Sequence, residues 1–355
     1  MANSARTLAE LASIALTSSP AAQAVDYEGE WSCWADLDRV SHQVANLIAA
    51  SGVRPGAPIA FVPRNRPAAI AAELGMLALG RPIQMIYAFQ SPRGLARDIR
   101  KLAPGLVVLM AEDLSEEVTG VLKADGIAAI ALRSTSAEAV PGLERSGRTG
   151  ETDNGPMRIE ILTSGTTGPP KRYSLHESAI LGFVQEPVLA GAPETTAAMP
   201  PALNYFPLGN LSGVYITLAT LLNGLRLTLL DRFTLERWRN YVIRFRPPSA
   251  SIPPTYFQAL LDSDIAPQDL SSLKAMNAGA SPLDPLVQRR FEERFNIPVL
   301  VSYGATEFGG RVAQMSPEDR AAFGDRKLGS VGRPFGGARF RILDPESGEI
   351  LRCGQ

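Results

Sequence analysis

Short apolar runs alternate along this chain with longer stretches whose apolar positions recur at helical spacing. Residues 58–62 (PIAFV), 83–87 (IQMIY), 106–110 (LVVLM) and 127–132 (IAAIAL) are mainly apolar and bounded by Gly, Pro or charged residues, so they predict buried strands. Residues 68–79, rich in Ala, Leu and Ile and ended by Gly80 and Pro82, predict a helix, as do residues 114–123. Further strands are predicted at 226–230, 249–252 and 298–302, with helical patterns between them. Strands separated by helices are joined by crossovers, so the pattern predicts an α/β fold with largely parallel sheets. No repeat of fixed period occurs. Residues 134–157 are polar and rich in Ser, Glu, Gly, Thr and Pro, which predicts a surface loop or subdomain boundary.

The two ends need separate reading. Residues 1–24 finish in a small-x-small pattern like a secretory cleavage site, but the apolar part contains Glu10 and several serines. That apolar region is too weak for a signal peptide, and an amphipathic helix over residues 8–16 is the reading adopted. No apolar run approaches the roughly 18 residues of a membrane span. At the other end, residues 340–343 have a strand pattern, 344–349 a turn, and 350–352 begin another strand before the chain stops at Gln355. The pattern reads as interrupted.

Composition narrows the class. Of 355 residues, 45% are hydrophobic and 20% charged, the balance of a folded, soluble protein. The net charge of −1 gives no electrostatic case for nucleic acid or an anionic membrane surface. Cys33 and Cys353 form neither a CxxC pair nor a disulfide framework, so a reducing cytoplasm is the expected compartment. His42 and His176 are the only histidines, and neither lies in a metal-type motif. His42 is expected on a helix surface and His176 in a structural or surface role.

Candidate chemistry begins at TSGTTGPPK, residues 163–171, directly after the apolar run RIEIL. Glycines let successive N–H groups point into one concavity, hydroxyls add donors, and Lys171 adds a mobile positive charge. The segment therefore suits phosphate, although its composition also suits an exposed turn. Its spacing is not that of the Walker loop, since two prolines follow Gly168 and Arg172 follows Lys171.

The full string resembles the signature loop of the adenylate-forming superfamily of acyl- and aryl-CoA synthetases, peptide-synthetase adenylation domains and luciferases. Other stretches resemble that family's motifs in the same order. They are WADLD (34–38), PGAPIAFVPRNRP (55–67), SIPPT (251–255), NAGASPL (277–283), SYGATE (302–307) and GRP (332–334). The resemblance covers the chain from about residue 20 onward. It implies the large N-terminal domain of the acyl-CoA synthetase type, with layered, largely parallel sheets, flanking helices and a smaller β-rich subdomain. It also implies that a small C-terminal domain, with a further lysine, and a ribose-binding Asp lie beyond this sequence. Residues 1–355 would then be one AMP-binding domain that alone forms acyl-adenylate slowly or not at all.

The resemblance implies ATP, Mg²⁺ and a carboxylic acid as reactants, AMP as product, and CoA or a carrier-protein pantetheine as acceptor. A noncatalytic ligand-binding member of the fold is a further alternative. Thr163, Ser164, Gly165, Thr166, Thr167 and Gly168 would cradle the β- and γ-phosphates, with Lys171 neutralising them. Tyr303 would stack on adenine, with Gly279, Ala280 and Ser281 on its other side and Ser302 and Gly304 flanking. Thr306 would donate to the α-phosphate and Glu307 would hold Mg²⁺. Gly209, Asn210, Gly279, Gly304, Ala305, Phe308, Gly309 and Gly310 would line the acyl pocket. So many glycines are expected to leave room for a bulky apolar acyl group. Two departures stand out. Gly209-Asn210 replaces a Phe-His pair, and Arg172 stands where the family usually has Gly. A homodimer is kept open.

Overall fold

The computed structural model describes residues 6–148, 155–163, 171–184 and 198–352. The chain divides into two compact units, Met1–Arg237 and Trp238–Gln355.

In the first unit the predicted apolar runs form the centre of a seven-stranded sheet. Its order is Ala137–Ala139, Ala128–Leu132, Leu106–Met110, Ile59–Val62, Ile83–Met85, Arg158–Leu162 and Arg172–His176. The five inner strands are parallel and the two edge strands antiparallel. Strands Ile59–Val62, Leu106–Met110 and Ala128–Leu132 are buried at every position, which is why they read as unbroken apolar runs. Their alternate side chains face two separate cores. Ile59, Phe61, Val108 and Ile130 pack with helices Leu8–Thr17, Trp34–Ala50 and Pro67–Ala78. Ala60, Val62, Val107 and Leu109 pack with helices Pro92–Leu102 and Glu116–Ala124.

The first helix begins at a capping box, with Thr7 Oγ1 accepting from Glu10 N and the Glu10 carboxylate accepting from Thr7 N. Leu8, Ala12, Ala15 and Leu16 bury its apolar stripe. A second sheet in this unit orders Ala202–Asn204, Leu227–Leu229, Gln23–Tyr27 and Glu30–Cys33. The last two form a hairpin whose turn, Glu28-Gly29, has positive φ at both residues (54° and 92°), the geometry that suits the twist of the strands.

The second unit holds a five-stranded sheet. Strands Ser249–Ser251, Ala275–Ala278 and Val299–Ala305 are parallel, and Gly310–Gln314 and Arg333–Pro334 add antiparallel strands. Its core gathers Trp238, Phe257, Phe291 and Phe295, with Phe257 edge-on to Phe291 at 5.1 Å. The strands expected at 340–343 and 350–352 are reduced to a single bridge between Leu343 and Ile350. Phe340, Ile342 and Ile350 are exposed, so no buried face fixes a register there. Among the described residues no helix is long and apolar enough to cross a membrane.

Candidate functional site

The candidate residues fall on both units, and each unit builds its part separately. In the first, Arg158–Leu162 and Arg172–His176 pair antiparallel, and the last register pair is Leu162 with Arg172. One further pair closes the base of the TSGTTGPPK segment. Thr163 N donates to Lys171 O at 2.8 Å, and Lys171 N donates to Thr163 Oγ1 at 3.3 Å. Thr163 is buried and Lys171 exposed. The two ends of the predicted phosphate loop are therefore pinned to each other. Ser164, Gly165, Thr166, Thr167 and Gly168 lie outside the described residues.

Gly209 and Asn210 sit in the turn before helix Leu211–Leu221. Two buried asparagines shape the approach to this turn. Asn204 accepts from Phe206 N at 2.9 Å and donates to Thr217 Oγ1 at 3.0 Å. Asn65, from the PRNRP stretch, donates to Phe206 O and Leu230 O and accepts from Leu208 N. At Gly213 an added Cβ would fall 2.0 Å from Pro207 O, so the helix start and the turn touch backbone to backbone.

In the second unit, Ala275–Ala278 and Val299–Ala305 run parallel and end on the same edge of the sheet. Gly279-Ala280-Ser281 and Tyr303-Gly304-Ala305-Thr306-Glu307 are thus brought side by side. The carboxyl edge of parallel strands is where open α/β sheets bind ligands. Ser302 Oγ donates to Ala278 O at 3.3 Å, and a Cβ on Gly279 would lie 2.6 Å from that same Oγ. Ala280 has φ +67°, a strained conformation for a residue with a Cβ. Tyr303 is 45% exposed and presents its ring edge-on to Phe308 at 6.0 Å. Thr306–Phe308 forms a single 3₁₀ turn, closed by Gly309 N donating to Thr306 O. Gly310 then turns the chain back onto Gly304, where an added Cβ would lie 2.4 Å from Gly310 O.

Glu307 is exposed at this edge, and among the described residues no cluster of three His, Cys, Asp or Glu surrounds it. A single exposed carboxylate fits Mg²⁺, which takes most of its ligands from water and substrate phosphate. His42 is exposed on helix Trp34–Ala50, paired with Asp38, and His176 is exposed at a strand end.

Three features escaped the sequence reading. The first is the asparagine pair just described. The second is a polar cluster under the hairpin, in which Glu160 accepts from Arg158 at 2.9 Å and Gln84 at 3.0 Å, with Arg172 at 4.0 Å. The third is an open groove of about 640 Å³ in the first unit, lined by Arg64, Tyr87, Phe89, Tyr205, Arg232 and Phe233 among others. The guanidinium groups of Arg64 and Arg232 both stack on Phe89, at 5.5 and 5.4 Å. Hydrogen bonding to Asp113 raises the Arg64 pKa above its ordinary value. The doubled arginine in PRNRP and the DRF triplet at 231–233 were the available signals.

Comparison with known proteins agrees with this geometry. A family model described as AMP-binding enzyme matches residues 14–355, and the chain belongs to that adenylate-forming family. The chain is 24% identical over 336 residues to a 4-coumarate–CoA ligase of Vanilla planifolia, an alignment covering 90% of this chain and 60% of that protein. It is 30% identical over 206 residues to a 2-succinylbenzoate–CoA ligase of Enterococcus faecalis, covering 55% of this chain and 40% of the relative. The fold matches that of the Bacillus subtilis O-succinylbenzoate coenzyme A synthetase in complex with ATP and a magnesium ion. That match has a TM-score of 0.74 and 21% identity, over 97% of this chain and 68% of the other. The chain thus spans less than two thirds of the length of these curated relatives.

Proposed function

We propose that this chain carries the nucleotide- and acid-binding part of an ATP-dependent acid–thiol ligase. The carboxylate of the acid attacks the α-phosphorus of ATP, pyrophosphate leaves, and the acyl-adenylate then passes its acyl group to a thiol, with CoA as acceptor. The observation that carries this reading is the side-by-side emergence of NAGAS and SYGATE from adjacent parallel strands. Gly279 leaves room for the Ser302 hydroxyl of the neighbouring strand, and Ser302 Oγ donates to Ala278 O.

On this reading Tyr303 offers a ring face to adenine, and the Gly279–Ser281 backbone flanks it. Thr306 donates to the α-phosphate, Lys171 balances the charge of the leaving pyrophosphate, and Glu307 holds Mg²⁺. Bound Mg²⁺ would supply charge neutralisation across the phosphates. The protein's contribution is chiefly to hold two anions together and to aim donors at the charge that develops. The groove beside Phe89, with Arg232 stacked on that ring, offers a cation to the phosphate of a pantetheine arm, which CoA and a loaded carrier protein share; CoA is the proposed acceptor. A bulky apolar acid remains the proposed acyl class and the cytoplasm the proposed compartment.

A thermal-shift series with AMP, Mg-ATP and nonhydrolysable acyl-adenylate mimics from acetyl to long-chain, aryl and polycyclic tests this. A ligand at ~100 times its Kd adds about 2.7 kcal/mol, an easily read shift. One acyl class stabilising well beyond AMP is the expected result. No stabilisation by any of these ligands would overturn the proposal.

A further inference from the structure

The residue after the signature lysine makes a contact that a glycine there could not make. Arg172 opens the return strand of the hairpin, opposite Leu162. Side chains alternate along a strand, so Arg172 shares its face with Glu160 and Ser174, while Lys171 leaves on the opposite face. The Arg172 side chain crosses strand Arg158–Leu162 and donates from Nη1 to Met85 O at 3.1 Å, at the end of the next strand, Ile83–Met85. Its Nε stands 4.0 Å from Glu160 Oε2. Glu160 is itself held from both sides by Arg158 and Gln84. Burial lowers the Arg172 pKa, opposed by the charges of Glu160 and Asp98, so the guanidinium is placed at a desolvation cost that these contacts offset.

We infer that Arg172 is a positioning residue: by tying the first residue of the return strand to Met85, across the intervening strand, it fixes the direction in which Lys171 projects. Lys171 is joined to Thr163 through both its N–H and its carbonyl, so its backbone moves with the hairpin end. The next Cα along is anchored by a side chain that spans two strands. Frayed hairpin ends lose pairing first, and a lysine there would sample many directions. The Arg172 link removes that freedom from the strand face opposite to the one Lys171 leaves on. The phosphate role of Lys171 rests on the function proposed above; the anchoring of the hairpin end does not.

Two measurements on the whole chain separate these claims. The first is amide hydrogen exchange without ligand, comparing the native sequence with Arg172→Gly and Arg172→Lys. The Thr163 and Lys171 amides are expected to exchange about tenfold faster in Arg172→Gly, roughly the effect of losing one net hydrogen bond. Amides of strand Leu106–Met110 serve as the unchanged control, and Arg172→Lys recovers part of the protection. The second is nucleotide affinity. In Arg172→Gly the Kd for Mg-ATP is expected to rise about tenfold while that for AMP, which lacks the phosphates Lys171 would meet, stays constant. General loss of structure would weaken both. Unchanged exchange at Thr163 and Lys171 overturns the inference, and so does faster exchange with unchanged ATP affinity. If the native chain binds neither nucleotide, the proposed function fails, and the exchange result alone decides the anchoring role.

Discussion

Asn65 and Leu208 are joined by a hydrogen bond of 3.1 Å, from the Leu208 N–H to Asn65 Oδ1, across 143 positions of sequence. The same carboxamide donates to Phe206 O at 3.0 Å and Leu230 O at 2.8 Å. Asn65 is 1% exposed. One side chain thus holds the start of helix Pro67–Ala78, the turn leading to Gly209 and the end of strand Leu227–Leu229 in one arrangement. Asn65→Ala would leave a buried N–H and two carbonyls unpaired. At roughly 1–3 kcal/mol for each buried unsatisfied group, a net loss of about 3 kcal/mol is expected. For a unit of this size that lowers Tm by about 6–10 °C. Asn65→Asp is expected to be worse, because its charged oxygens would face two carbonyls. A melt of the three proteins checks the order; an Asp variant as stable as the native chain would contradict it.

Glu73 lies in the middle of helix Pro67–Ala78, where every residue from Ala68 to Leu77 is buried. Both of its carboxylate oxygens lack a hydrogen-bond partner among the described residues. Burial pushes its pKa from 4.5 up to about 8. The folded form therefore keeps a proton that the unfolded chain releases near pH 4.5. Below that pH the group costs nothing extra. Between pH 4.5 and about 8 its contribution to stability falls as pH rises, by about 1.4 kcal/mol per unit at most. Above about 8 the loss levels off. Glu73→Met is expected to flatten this dependence and to gain most over the native chain at pH 8. Urea midpoints at pH 5 and pH 8 measure it. An equal gain at both pH values would mean that Glu73 does not titrate in that window.

The parallel sheets were legible because strands buried on both faces leave unbroken runs such as LVVLM. The motif loops were legible because glycine appears where there is no room for a Cβ, against the Ser302 hydroxyl at Gly279 and against the returning backbone at Gly304. Asn65, Arg232 and the Glu160–Gln84 pair were not legible as partners, because their contacts join residues tens to hundreds of positions apart and leave no local period. The strand pattern at 340–343 is only partly realised, for the complementary reason. Leu343 bridges Ile350 and Ile342 O accepts from Leu351 N, but no strand of the five-stranded sheet pairs with the segment to extend it.

Two of the predicted site glycines should respond differently to the same change. At Gly304 an added Cβ would lie 2.4 Å from Gly310 O and 2.8 Å from Arg311 Cα, both main-chain atoms that cannot rotate away. At Gly209 the nearest atom would be Pro63 Cγ at 3.5 Å, ordinary contact. Gly304→Ala is expected to cost about 3 kcal/mol, by forcing apart strands Val299–Ala305 and Gly310–Gln314. Gly209→Ala should stay within about 0.5 kcal/mol of the native chain. Denaturant titration of both variants checks the contrast. A neutral Gly304→Ala would show that the SYGATE turn is not held by this close approach.

Under the proposed function Glu307 holds the metal; it stands beside Thr306 in the turn that follows the Val299–Ala305 strand. Glu307→Gln keeps the size and the local backbone but removes the charge. If Glu307 holds Mg²⁺, the variant should lose about tenfold in Mg-ATP affinity, ~1.4 kcal/mol, while binding ATP in excess EDTA as the native chain does. AMP affinity should not move in either protein. Calorimetry with and without Mg²⁺ gives all four values. A uniform loss across Mg-ATP, metal-free ATP and AMP would instead point to Glu307 shaping the turn. Equal Mg-ATP affinity in both proteins would remove the metal role from this residue.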